Sequence, residues 1–250
     1  MRLKMSKLRF LAILAATVLA IACNSAKNET SAAASVPASP STPATTATEP
    51  PQGEPAQPPA PVITDADKAR AMRPPAGSRL ALVVFEDLEC PACGRAELLL
   101  ESAQANYKIP IVRHDFLIPA HQWSADAHVI ARYFDAISPQ LGEEFRRYML
   151  TNQAAIYRQN LREWVDRFAA QHHQALPAFY DTSGELRAKV LRDCEVGRQL
   201  KVVHTPTVYL VNDSSGGITS QEVTDLSTLF QMIDQKLAEL RKQSPGGRAK

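Results

Sequence analysis

The sequence predicts one α/β domain: two strands joined by a helix, a helical insert of about 75 residues, then a β-hairpin and a closing helix. Three observations carry this. Two short apolar runs, RLALVVF (79–85) and KIPIVRHDF (108–116), flank a stretch with helical spacing over 91–107. From 124 to 200 apolar residues recur at three and four positions with few breaks. Near the end, an apolar run at 208–211 meets the turn sequence DSSGG (213–217), a second run at 218–223 and a one-sided apolar stretch to Gln243.

Each element has its own justification. Residues 74–78 form a turn before the first strand, which is rich in Val and Leu and reads as buried. Pro91 opens a helix, where a missing N–H costs nothing, and good helix formers continue to Tyr107. A strand at 108–116 then makes a strand–helix–strand unit, which implies a parallel pair with a crossover helix. The insert breaks at Ser138–Pro139, near Thr151–Asn152, at Pro177 and at 181–184. Its aromatic residues, Tyr133, Phe134, Trp164 and Phe168 among them, repeat at helical spacing and read as core. The third strand, 208–211, pairs back on 218–223. Thr224 or Asp225 caps a last helix whose Leu226, Leu229, Phe230, Ile233, Leu237 and Leu240 share one side.

Outside this domain the chain changes character. Residues 1–22 read as a secretory signal: Arg2, Lys4, Lys7 and Arg9 precede an apolar stretch at 11–22 that is short for a membrane span. Ala20 and Ala22 place a small-x-small cleavage site before Cys23, which resembles a bacterial lipobox and makes Cys23 the expected lipidation site. Position 20 departs from that pattern, which usually carries Leu there. Residues 23–63 are almost wholly Ala, Pro, Ser and Thr, without the apolar content to offset the entropy of ordering, and read as an extended tether from a membrane anchor. The folded domain is expected over 64–243, with a basic solvated tail at 244–250. The net charge of +2 becomes −2 once the four leader cations are removed, and neither value suggests a nucleic-acid partner.

The chemistry concentrates at FEDLECPAC (85–93). The chain has four cysteines, Cys23, Cys90, Cys93 and Cys194. A structural zinc site needs four ligands, and there is no second Cys-x-x-Cys. His114, His121 and His128 are spaced by seven but fall on a strand, a loop and a helix, so they share no face, and no metal or other cofactor is expected. A structural disulfide across so short a loop would restrain the unfolded chain little. A redox couple fits better. Cys90 sits where a strand ends and a helix begins, and the free N–H groups and helix dipole there favour a thiolate. Cys93 lies one turn on, within reach of a mixed disulfide on Cys90. Glu86, Asp87 and Glu89 oppose the thiolate. HTPT (204–207), before the third strand, places an X-Pro bond able to be cis at a strand entry, where the preceding backbone can pair with an extended peptide.

With these residues in place, the chain resembles the DsbA-like branch of the thioredoxin superfamily. FEDLECPAC with Asp87 three before the first cysteine, DFLIPAH with His121, the helical insert (about 122–200), and Thr-Pro-Thr before an apolar strand occur in the family's order, over 79–243. The resemblance implies a thioredoxin fold with the insert between the second strand and the cis-Pro strand. It implies Cys90 as nucleophile, Cys93 as resolving cysteine, and Pro206 as the cis-proline facing them. Thr205, Pro91 and Ala92 would contact substrate.

Two departures bear on the chemistry. Many relatives carry a buried acid six positions before the first cysteine; here that residue is Val84, so the proton acceptor for Cys93 is missing or is a neighbour such as Glu86. Pro91-Ala92 supplies no histidine to the thiolate, so the couple should be less oxidising than DsbA at about −120 mV, toward the roughly −180 to −270 mV of the isomerase and thioredoxin. The expected activity is oxidation of dithiols in unfolded or newly exported proteins outside the cytoplasm, in the periplasm or cell envelope. A membrane redox partner would recycle a lipid-anchored monomer. A reductase or isomerase, or a tethered peptide-binding module without turnover, are the rival readings. Cys194, on the helix leading to Pro206, reads as a buried inert thiol, with a third redox thiol as the rival.

Overall fold

The computed structural model describes residues 61–243. The signal, Cys23, most of the tether and the basic tail lie outside them. Four strands form one sheet in the order β2-β1-β3-β4. Strand β1 (Leu80–Glu86) runs parallel to β2 (Ile111–Asp115) and antiparallel to β3 (Thr207–Ser214), which pairs with β4 (Gly217–Glu222) as a hairpin. All seven residues of β1 are buried, as a strand covered on both faces must be.

The alternation of β1 sorts the core. Leu80, Leu82 and Val84 pack under helices α2 (Pro91–Tyr107) and α7 (Leu229–Lys242), while Val83 and Phe85 face α6 (Glu185–Gln199) with Val196. Helices α3 (Ser124–Ile137), α4 (Pro139–Asn152) and α5 (Leu161–Gln171) form the insert around Phe134, Phe145 and Phe168. That core also contains Leu88, Cys90 and Cys93, so the insert is built against the cysteine pair.

The predicted α/β order, the parallel β1–β2 pair, the insert and the hairpin are all present. Some boundaries move for local reasons. Strand β2 starts at Ile111 rather than 108, because Lys108 ends α2 in the left-handed region at φ 55° and Pro110 follows. Strand β3 runs to Ser214, three residues beyond the apolar run, paired through Asn212 and Asp213. Asp225 caps a single 3-10 turn, Leu226–Thr228, and α7 begins only at Leu229. A short helix α1 (Asp65–Ala71) was not foreseen; Thr64 and Asp67 form its capping box.

Candidate active site

Cys90 is the N-cap of α2, with Pro91 as the first helical residue. Its thiol donates to the Thr205 carbonyl at 3.3 Å, and the Thr205–Pro206 bond is cis. Cys90 and Cys93 are both buried free thiols. The structure thus brings together Cys90, Cys93, Thr205 and Pro206. It splits the two residues between the cysteines: Ala92 lines a groove with Thr205 and Pro206, whereas Pro91 lines a separate cleft toward the insert.

The two thiols are set apart electrostatically. The Cys93 thiol first, then Thr205 and the backbone N–H groups of Cys93 and Ala92, hold the Cys90 thiol down at about 5 against the effect of burial. Cys93 is pushed far above the ordinary thiol range by burial first, then by its hydrogen bond to Cys90 and the charge of Glu86. The acidic flank therefore acts on the second cysteine. Near the first it is spent: Glu89 accepts from the N–H groups of Trp123 and Ser124 at 2.7 and 3.0 Å, and Asp87 from those of Ile118 and Glu89 at 2.7 and 2.8 Å. His121 Nδ1 lies 2.9 Å from Asp87 Oδ1, which joins the two motifs that carried the resemblance.

Glu86 belongs to a buried ionic cluster. The Arg113 guanidinium donates to Glu86 at 2.6 Å, to Glu97 at 2.7 Å and to Glu143 at 2.9 Å. Burial pushes the Glu97 carboxyl up to about 7, although Arg113 pulls it down. One guanidinium among three carboxylates leaves this cluster short of positive charge. Glu86 Oε1 is buried without a hydrogen-bond partner among the described residues. Sequence reading named Glu86 but missed the rest of the cluster. A signal existed: Cys93, Glu97 and Leu100 stand at i, i+4, i+7 on the buried side of α2.

The insert also grips the loop before Cys90. The Gln153 amide donates to the carbonyls of Leu88 and Cys90, each at 2.9 Å. The Leu88 N–H donates to His128 Nε2 at 3.1 Å, so the His128 proton sits on Nδ1 and is donated to Asp115 at 2.8 Å. Gly94 admits Gln153: a Cβ there would stand 2.5 Å from Gln153 Oε1. Gly94→Ala should therefore dislodge the amide from both carbonyls and destabilise the fold by about 1–3 kcal/mol, since the Leu88 carbonyl loses its donor and the Cys90 carbonyl keeps only the N–H of residue 94. Denaturant unfolding checks this, and a loss below about 0.5 kcal/mol would refute the clamp.

The three histidines spaced by seven do not converge. They meet different carboxylates: His114 Asp193, His121 Asp87, and His128 Asp115. Cys194 accepts from the Leu117 N–H at 3.4 Å, and burial pushes its thiol up to about 11, which fits the inert reading.

With this geometry established, comparison with known proteins places the chain. A family model described as thioredoxin matches residues 76–229. Comparison by sequence with curated proteins gave no match. Among solved structures, alpha-DsbA1 of Wolbachia pipientis aligns at 12% identity and TM-score 0.55, covering 67% of this chain and 90% of that one. The catalytic domain of Proteus mirabilis ScsC aligns at 17% identity and TM-score 0.54, covering 69% and 96%. A periplasmic thioredoxin-like protein from Salmonella enterica serovar Typhimurium aligns at 16% identity and TM-score 0.55, covering 71% and 99%. At these identities the structural likeness is one of fold. The sequence match and the shared fold, with its helices inserted between β2 and the cis-proline strand, lead to one conclusion: the chain belongs to the thioredoxin family and has a DsbA-like fold.

Proposed function

We propose that this protein is a thiol–disulfide oxidoreductase that oxidises dithiols in exported proteins through a Cys90–Cys93 disulfide. The observation that carries the reading is the Cys90 thiol held at about 5 at a helix N-terminus, beside the Thr205 carbonyl. A thiol lowered in the folded state stabilises the reduced protein above that pH and ceases to do so as the pH falls through about 5. At neutral pH this favours the dithiol form, so the disulfide gives its oxidising equivalents away.

The steps follow from the placement. A substrate thiolate attacks Cys90 Sγ in the Cys90–Cys93 disulfide, and Cys93 leaves as a thiolate. Its raised affinity for a proton draws one from the buried acid cluster, with Glu97 as the store. Glu143, about a quarter exposed, connects the cluster to solvent. A second substrate thiolate then attacks the substrate sulfur of the mixed disulfide and Cys90 leaves as the stabilised thiolate. Two electrons now reside on the pair and pass to a membrane redox partner. Thr205 offers backbone groups to the substrate chain beside Pro206, and Pro91 and Ala92 flank the sulfur. The signal-like leader, Cys23 and the periplasmic relative support export and an anchored, extracytoplasmic site of action.

A fluorescent dithiol peptide tests the reading. The oxidised wild type should form the peptide disulfide, and Cys90→Ser should abolish turnover while retaining peptide binding. Given the disulfide form of the peptide, reduced Cys93→Ser should accumulate a mixed disulfide on Cys90, the other peptide sulfur leaving as a thiol. Full function of Cys90→Ser in cells would instead assign the protein to peptide binding without redox chemistry.

A further inference from the structure

We propose that the helical insert carries a second peptide subsite, which takes an extended segment of the partner protein bearing an apolar side chain next to a carboxylate, on the side of Cys90 away from Pro206. This extends the oxidoreductase reading above and rests on it for the identity of the partner.

The site begins at the cysteine pair. A cleft of about 410 Å³ opens beside Pro91, walled by Trp123, Ile156, Tyr157 and Arg158. A second cleft of about 430 Å³ follows on the insert, with Val129, Ile130 and Leu161 among its lining and Phe179 at its edge. Arg158 lines both. The two clefts therefore make one track that leads from the residue after Cys90 along the insert. A chain whose cysteine meets Cys90 has the Thr205–Pro206 groove on one side and this track on the other.

The chemistry of the track selects its occupant. Tyr157 is 61% exposed and Phe179 77%, so both rings are available to an incoming apolar side chain. The hydroxyl of Tyr180, which lines the second cleft, is buried without a hydrogen-bond partner among the described residues. The charge is one-sided in effect. Two of the carboxylates lining the clefts are spent on backbone: Glu89 on Trp123 and Ser124, and Asp181 on the N–H groups of Leu186 and Arg187. The third, Asp126, faces Arg187 at 3.4 Å. Arg158 has no hydrogen bond or ion pair among the described residues, and it stands where the two clefts meet. Exposed aromatic surface on either side of an unmatched guanidinium fits an apolar residue adjoining a carboxylate.

The test uses the full-length exported chain and three fluorescent dithiol peptides that differ only beside the cysteine: Phe–Glu, Phe–Lys and Ala–Glu. The control substrate is dithiothreitol, which reaches Cys90 without the track. The wild type should oxidise the Phe–Glu peptide roughly five-fold faster than either of the others, in line with a rim charge pair or a covered ring. Arg158→Glu should reverse the order of the Glu and Lys peptides, and Phe179→Ser should abolish the preference for Phe over Ala. Both variants should leave dithiothreitol oxidation unchanged. Equal rates for all three peptides with the wild type, or equal slowing of peptides and dithiothreitol by Arg158→Glu, would overturn the subsite. If the wild type does not oxidise even dithiothreitol, the oxidoreductase reading fails on its own. The subsite is then decided by fluorescence titration with a Phe–Glu peptide lacking cysteine: binding weakened by Arg158→Glu supports it, and no binding refutes it.

Discussion

Replacing Arg113 with Leu should destabilise the protein by on the order of 3–5 kcal/mol, a large part of the roughly 5–15 kcal/mol that holds a domain together. The side chains of Arg113, Glu86 and Glu97 are each no more than 4% exposed. Removing Arg113 takes away the cation that the carboxylates of Glu86, Glu97 and Glu143 all bind and leaves only the charge of Arg146, itself hydrogen-bonded to Asp135, acting on Glu86. The deficit should depend on pH in a defined direction. Carboxyls raised in the folded state are tolerated while protonated and destabilise as the pH climbs past their unfolded value near 4.5. Unfolding at pH 4.5 and at pH 7.5 should therefore show the smaller loss at the lower pH. Adding Glu86→Gln and Glu97→Gln to Arg113→Leu should recover part of the stability at pH 7.5. A loss independent of pH would mean that the arginine matters for packing rather than for its charge.

The second large effect concerns reactivity. The rate of Cys90 alkylation in the reduced protein should rise through a midpoint near pH 5. Cys93→Ala removes the hydrogen bond that contributes most to that low value, and hydrogen bonds to charged groups are worth about 1.5 kcal/mol or more. The midpoint should then move up by about one pH unit. Cys194, with its thiol raised to about 11, should not react in the folded protein and so should not blur the profile. An unchanged midpoint in Cys93→Ala would shift the cause to Thr205 and the helix N-terminus.

Much of this was legible in the sequence because the relevant signals are local. An apolar run, then Pro91 after Cys90, then helix formers mark a strand, an N-cap and a helix whatever packs around them. Thr205 and Pro206 could be placed opposite the cysteines only through the resemblance, since 115 positions separate Cys90 from its hydrogen-bond partner. The polar support of the site was not legible. Arg113, Glu97 and Glu143 lie on a strand and two helices, and only the register of β2 on β1 brings Arg113 alongside Val84 and within reach of Glu86. Val84, where relatives place a buried acid, is matched by a cluster assembled from other positions. Gln153 lies in a short 3-10 turn whose sequence carries no periodic pattern, so its clamp on Cys90 had no local mark beyond Gly94. By sequence position alone, Asp87, Glu86 and Glu89 weigh as charges on the Cys90 thiolate. Each is instead bound to specific donors, which a linear reading cannot show.

The central claim is that Cys90 and Cys93 form a reversible, moderately oxidising couple. The most direct measurement is the reduction potential of that pair, by equilibration in glutathione buffers with mass-spectrometric readout. A Cys90 thiol at about 5 lies between those of DsbA near 3.5 and thioredoxin near 7. The potential should accordingly fall at about −180 to −210 mV, between their values. A potential below about −240 mV, or no reversible Cys90–Cys93 disulfide at all, would contradict the account, the first by reversing the direction of electron flow and the second by removing the couple itself.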